Sequence, residues 1–308
     1  MSRNYIIGAG ITGLVWKFYH PDFQIISPQI GGDYGKTHMV WIHDCFETRK
    51  LLIDLGFPIK TKKSWIGYYY KGWITENLSN DMNLVMIQKK MTEWNKPIDP
   101  NFVPKTRDLS LSSGLLSGVN YMNTLDVDLI KVVEKLNEKS DVKHGFVTRI
   151  DEDRIFVKQN PKDESGNWLL YDKLISTISA PFFWKAWGQE KEFKYLSITN
   201  IITDKKPEFF DNRYEMVYYD DSVPFSRISF LDGKYALEFT GIITREEFEE
   251  KFPDLPVLDY FIVPQGRIFE NEENLSPTPN IIFSGRFAQW KYGVTSEYVI
   301  SQAINYKN

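Results

Sequence analysis

The sequence predicts an α/β protein: a doubly wound parallel-sheet domain, with a smaller strand-rich α+β domain interleaved in it. Three stretches carry this reading. YIIGAGITGLVWKFYHPDFQIIS (residues 5–27) reads as strand, glycine turn, helix, strand. NIIFSGRFAQWKYGVTSEYVISQA (residues 280–303) reads as buried strand, close-approach glycine and final helix. Between them, WIGYYYKGWI (65–74) and YEMVYYDDSVPFSRISFLDGKYALEFTG (214–241) read as a hairpin and a meander.

The first stretch is the most informative. Tyr5, Ile6 and Ile7 form a short apolar run suited to a buried parallel strand. Gly8, Gly10 and Gly13 then fit G-x-G-x-x-G. In that spacing the first glycine makes the tight turn, the second lets a pyrophosphate approach, and the third lets helix pack on strand. Amides at the helix start, aided by the helix dipole, would face the phosphate. His20-Pro21 should end the helix after little more than two turns, and Phe23 to Ile26 should form the second strand. Ser27 stands where a dinucleotide site usually shows an acid, so it would offer a hydroxyl to the adenosine ribose.

The next elements follow from caps and turns. In WIHDCFETRKLLIDLGFP (41–58), Asp44 with Glu47 suggests a capping box. Leu51, Leu52 and Leu55 give an apolar face, and Gly56 with Pro58 stops the helix. Leu129, Ile130, Val133 and Leu136 recur at helical spacing. The hairpin should turn at Lys71-Gly72, and the meander at Asp220-Asp221 and Asp232-Gly233. Ile281 to Phe283 is a buried strand, Gly285 a close-approach glycine, and Thr295-Ser296 can cap the last helix.

Composition narrows the function classes. A chain of 308 residues with 42% hydrophobic content can bury a sizeable core in two domains. No apolar run approaches the ~20 residues that span a bilayer, and the N-terminus carries no export signal, so a cytoplasmic protein is expected. Cys45, the one cysteine, excludes an internal disulfide and a cysteine-rich metal site. A net charge of −4 gives no global pull toward polyanions. Aromatics reach 15%, enough either for a bulky core or for a cleft that stacks planar rings.

Gly31-Gly32 directly after the second strand, followed by Gly35 and His38, exceeds what a plain nicotinamide site needs. With that pair the chain resembles the flavin-containing amine oxidase superfamily, which includes protoporphyrinogen oxidase, phytoene desaturase and UDP-galactopyranose mutase. The resemblance continues through residues 41–58, 126–157, LISTISAPFFW (174–184) and 280–303; GRFAQWKY is especially similar to the mutase branch. Residues 60–123 and 186–275 match only loosely, apart from VPFSRISF (223–230), which is similar to a mutase substrate-domain strand. The resemblance implies a Rossmann-like FAD-binding domain from residues 1–59, 124–184 and 276–308, and a substrate (lid) domain from 60–123 and 185–275. It implies that Gly8, Gly10, Gly13, Ser27, Gly31, Gly32, Val147, Gly285, Arg286, Val294 and Thr295 meet FAD, with the backbone of Val147 against the adenine.

That family implies an FAD-dependent oxidoreductase acting on an amine or amino-acid-like substrate. One such substrate is an amino acid attached to a modified DNA base, since small members act in phage DNA hypermodification. A mutase-like sugar-nucleotide isomerase and a non-catalytic dinucleotide sensor are the alternatives. No thiol pair supports disulfide reduction, and no second glycine fingerprint supports a built-in NADPH domain. His38, Lys291 and Arg227 are the catalytic candidates. His38 could touch the flavin's reactive face or simply bond backbone. Lys291 could hold water near the flavin N5 or be a solvated charge at a turn. Arg227, in an otherwise apolar strand, must find an anion such as a substrate carboxylate or phosphate, or lie at the sheet surface. His43 sits at a helix entry, and Cys45 reads as an inert buried residue. Lys60, Lys62, Lys63, Lys89, Lys90, Lys96, Lys105 and Arg107 are solvated surface or, interleaved with Trp65, Trp94 and Tyr68 to Tyr70, a nucleic-acid track.

Overall fold

The computed structural model describes residues 3–32, 42–75, 121–220, 222–268, 276–291 and 294–307. The chain divides into two compact units, one of Met1–Lys60, Asp126–Lys194 and Ile268–Asn308, the other of Thr61–Leu125 and Tyr195–Arg267. The first unit opens with β1 (Asn4–Gly10), α1 (Ile11–Tyr19), β2 (Gln24–Gly31), β3 (Ile42–His43) and α2 (Phe46–Asp54). The second follows with β4 (Thr61–Tyr70), β5 (Trp73–Thr75) and β6 (Tyr121–Leu125). Then come α3 (Leu129–Glu138), β7 (Val142–His144), β8 (Phe146–Ile150), β9 (Arg154–Lys158), β10 (Asn167–Leu170), β11 (Lys173–Ser176) and α4 (Ala180–Ala186), all in the first unit. The second unit resumes with β12 (Tyr195–Thr203), β13 (Met216–Tyr219), β14 (Arg227–Leu231), β15 (Lys234–Thr240), α5 (Arg245–Lys251) and β16 (Asp259–Ile268). The chain closes with β17 (Ile281–Phe283), α6 (Arg286–Gln289) and α7 (Ser296–Asn305) in the first unit.

The first unit is built on a sheet in the order β17-β11-β1-β2-β7, every pair parallel. Within this sheet the chain visits the central strand first, steps outward one way, then crosses to the other side. That order is the doubly wound arrangement, and it places ligand sites beyond the carboxyl ends of the strands. Alternation along β1 and β2 divides the core. A Cβ on Gly13 of α1 would approach Ile6, so Ile6 faces that helix. Ile7 and Ile26 face the other way, packing with Ile150, Ile155 and Val157 of the antiparallel β8-β9-β10 sheet and with Phe183 and Trp184 of α4. Residues 185–194 stay in this unit because Trp187 stacks on Phe183 and Phe193 meets Trp290 edge-on at 4.9 Å.

Three local expectations need correction. The second strand does not end at residue 26 or 27 but runs to Gly31, because β2 buckles against Gly8 and then pairs again. The cap of α2 is not the Asp44–Glu47 box. Cys45 is the N-cap, its backbone N–H donating to Thr48 Oγ1, while Asp44 pairs with Arg49. On α3 the buried positions are Val132 and Leu136, with Asp128 capping Ile130 N–H at 2.9 Å.

In the second unit the strand path is β16-β12-β15-β14-β13-β4-β6, with β5 on β4. Lys71 and Gly72 both take positive φ between β4 and β5, as do Asp232 and Gly233 between β14 and β15. These are two-residue hairpin turns whose twist matches the strands. No tight turn joins β13 to β14. Asp220 instead organises a longer loop, accepting from Lys71 N–H at 2.8 Å and from Ser222 N–H at 3.1 Å; Asp221 lies outside the described residues. The core here is aromatic, with Tyr219, Phe225, Phe239 and Phe248 nearly inaccessible.

Candidate functional site

The glycines at the carboxyl edge of the first unit's sheet have different reasons to be glycine. Gly8 has φ +99°, and a Cβ there would sit 2.5 Å from Thr177 Oγ1. That hydroxyl donates to the carbonyls of Ile7 at 2.9 Å and Gly8 at 3.1 Å, stitching the end of β11 to the turn. A Cβ on Gly13 would lie 2.0 Å from the Gly8 carbonyl oxygen, so helix and strand could not close. Both are demanded by the fold.

Gly10 is not. Its φ of −68° and ψ of 176° suit any residue. An added Cβ meets none of the described residues within 4 Å. Gly10 is the N-cap of α1, no described side chain caps that helix, and no acid lies in its first turn. Helix-start amides with no intrahelical partner therefore open onto space that the described residues leave clear.

The second glycine pair borders the same space. Gly10 is in register with Gly31, and a Cβ on Gly32 would lie 3.6 Å from the Cα of Gly10. From the other side, Gly285 has φ +90°, and its Cβ would press on Thr12 Oγ1 of α1 at 3.0 Å. The last helix converges on this edge. Trp16 Nε1 donates to Ser284 Oγ, which donates to Gln302 Oε1, both at 2.7 Å. His20 Nε2 lies 2.7 Å from the carbonyl of Ala303. The later turns of α1 and α7 thus pack together, and both helix starts face the carboxyl edge of the sheet.

The remaining candidates fall in varied surroundings. Val147 lies in β8 beside a register break opposite Val157. Ser27 is buried, and its hydroxyl donates to the Gln29 carbonyl at 2.7 Å. Arg286 opens α6 and lies over the Phe287 ring. Trp290, in left-handed conformation with φ 51°, is a core residue. Lys291 is exposed, and its carbonyl accepts from buried Val294 N–H at 3.2 Å. Thr295 is the N-cap of α7. Arg227 finds its anion within its own sheet, donating to buried Glu238 on the neighbouring strand. Lys62 pairs with Glu215 and Lys63 lies over Tyr121. His38, Gly35, Trp94, Lys89, Lys90, Lys96, Lys105 and Arg107 lie outside the described residues.

One pair escaped sequence reasoning. His43 Nδ1 lies 3.2 Å from Glu297 Oε1, in the first turn of α7. Burial pushes the Glu297 carboxyl up, but the His43 contact and local hydrogen bonds outweigh it and hold the group below its ordinary value. Thr48 Oγ1 donates to the His43 carbonyl at 2.5 Å, fixing the loop that carries the imidazole. Burial raises the neighbouring Cys45 thiol, so it is not an activated nucleophile. The partners are 254 residues apart, with no spacing to betray them. Among the described residues no group of three His, Cys, Asp or Glu could hold a metal, and no helix is long and apolar enough to cross a membrane.

Neither a protein-family model nor a curated protein sequence matches the chain. Solved structures do. An oxidoreductase from Methanosarcina mazei matches with TM-score 0.60 and 12% identity over 98% of both chains. A CLA-producing fatty acid isomerase from P. acnes gives 0.60 and 12% over 99% of this chain and 97% of that one. BrvH, a flavin-dependent halogenase from Brevundimonas sp. BAL3, gives 0.54 and 10% over 97% of this chain and 70% of its own. At such identities the likeness is one of fold: a mixed α/β fold with a parallel sheet, shared over nearly the whole of this chain.

Proposed function

We propose that the chain is an FAD-dependent oxidoreductase of amine-oxidase type. The observation that carries the cofactor is Gly10: a glycine that the described fold does not require, at a helix start that no described side chain caps, facing space the described residues leave clear. Gly31 and Gly32 lie beside Gly10, and the sequence resemblance assigns them, with Gly285, to the same cofactor. A flavin bound there would supply the two-electron chemistry. The chain's own part is to bind and orient: first-turn amides of α1 would hold a pyrophosphate, and residues at the start of α7 would contribute to holding the flavin. The flavin-dependent halogenase of the same fold supports this reading. An amine or amino-acid-like substrate is the finer part of the proposal, resting on the sequence resemblance. A nucleic-acid partner would rest on Lys60, Lys62 and Lys63, of which Lys62 pairs with Glu215, together with cations outside the described residues.

The test is the visible spectrum of the purified full chain, followed by an amine panel read as peroxide formation. Flavin bands released by denaturation, and peroxide made in step with amine loss, are the expected result. A colourless protein that takes up no added FAD would refute the cofactor. Turnover of UDP-galactopyranose by the reduced protein without net electron consumption would replace the oxidase reading with the isomerase one.

A further inference from the structure

We infer that the adenosine end of this cradle accepts a 2′-phosphorylated ribose, so the site does not exclude phosphorylated dinucleotides. The inference rests on the dinucleotide reading above. Dinucleotide sites commonly place a carboxylate at the end of the second strand to bind the ribose 2′-hydroxyl, and that negative charge repels a 2′-phosphate. From Ser27 to Gly32 the described residues read Ser-Pro-Gln-Ile-Gly-Gly, with no acid, and Asp33, next in sequence, lies outside the described residues.

The bulge shows why Ser27 does not replace it. Ile7 pairs with Ile26, then Ala9 pairs with Ile30, so Ser27, Pro28 and Gln29 all stand against Gly8. The buckle is closed by Ser27 itself, whose Oγ donates to the Gln29 carbonyl at 2.7 Å and accepts from Gln29 N–H at 3.4 Å. Its hydroxyl is spent on the backbone. The neighbouring strand supplies the next group in line. Ser27 is in register with His144 on β7, and Gly145 N–H donates to the Ser27 carbonyl at 3.2 Å. Register partners on parallel strands project from the same face of a sheet. His144 is exposed, its ring edge-on to Phe146 at 5.8 Å. An imidazole N–H donates to phosphate oxygens, where a carboxylate only accepts.

The experiment is isothermal titration of the full-length chain, freed of bound nucleotide, with adenosine 5′-diphosphate and with its 2′-phosphorylated form. The 2′-phosphorylated form should bind at least as tightly. His144→Glu, an exposed substitution, should weaken that form about tenfold or more relative to the plain diphosphate. If the wild-type chain prefers the plain diphosphate tenfold or more, the inference fails and the cradle stands. A His144→Glu ratio equal to wild type also overturns it, because the ribose then lies elsewhere. Binding of neither nucleotide removes the adenosine site itself, and with it the dinucleotide reading.

Discussion

Replacing Gly10 by valine should separate ligand from fold. The backbone there is ordinary, and the added carbon meets no atom of the described residues within 4 Å. Folding stability should therefore change by no more than about 1 kcal/mol, the scale of N-cap and unfolded-state effects. Binding should change far more. A Cα–Cβ bond pushes ~1.5 Å of side chain into the approach to the helix-start amides. Hydrogen bonds to a charged group are worth about 1.5–3 kcal/mol each. Losing two gives ~3–6 kcal/mol, roughly a hundredfold to ten-thousandfold in Kd. The assay is the flavin-to-protein absorbance ratio after purification, with FAD titration into the stripped chain and a thermal melt. Gly13→Ala is the contrast: its Cβ would lie 2.0 Å from the Gly8 carbonyl oxygen, so it should lose the fold as well as the flavin. If Gly10→Val purifies with full flavin and wild-type affinity, nothing approaches Gly10 and the cofactor assignment falls. If it melts as early as Gly13→Ala, the glycine serves the fold and the argument for a ligand is gone.

Ser284→Ala removes both the acceptor of buried Trp16 Nε1–H and the donor to Gln302, so urea unfolding should show a loss of about 1–3 kcal/mol; an unchanged midpoint would mean the α1–α7 seam does not depend on this chain of bonds. Arg227→Ala should destabilise by about 3 kcal/mol, because it leaves the Glu238 carboxylate buried without its cation. A variant as stable as wild type would instead free Arg227 for a substrate role. Glu297 is held below its ordinary value in the folded state, so its contribution is full above the unfolded pKa of about 4.3 and fades as pH falls through the folded one. Between pH 7 and pH 3 wild type should therefore lose more stability than Glu297→Gln; parallel losses would show that the His43 pair contributes nothing.

What the sequence determined is whatever is local. Periodicity and glycine spacing gave β1, α1 and the turn between them, since each rests on residues a few positions apart. The hairpins at Lys71-Gly72 and Asp232-Gly233 were legible for the same reason: positive φ at two successive positions is a demand on the turn residues alone. The tertiary structure decided the rest, and the reason is in each case a partner from a distant segment. Only the packing of Gly13 on Gly8, set beside the empty surroundings of Gly10, tells a structural glycine from one kept for a ligand. Arg227 looked like a cation in search of an anion until β15 laid Glu238 beside it. Ser27 looked like a ribose ligand until β2 buckled against Gly8 and turned the hydroxyl onto Gln29. His43 and Glu297 meet because α2 and α7 pack in the same unit, and strand order sets Ser27 beside His144. Spacing along the chain records turns and faces; which groups share a neighbourhood is settled by the order in which strands are laid down.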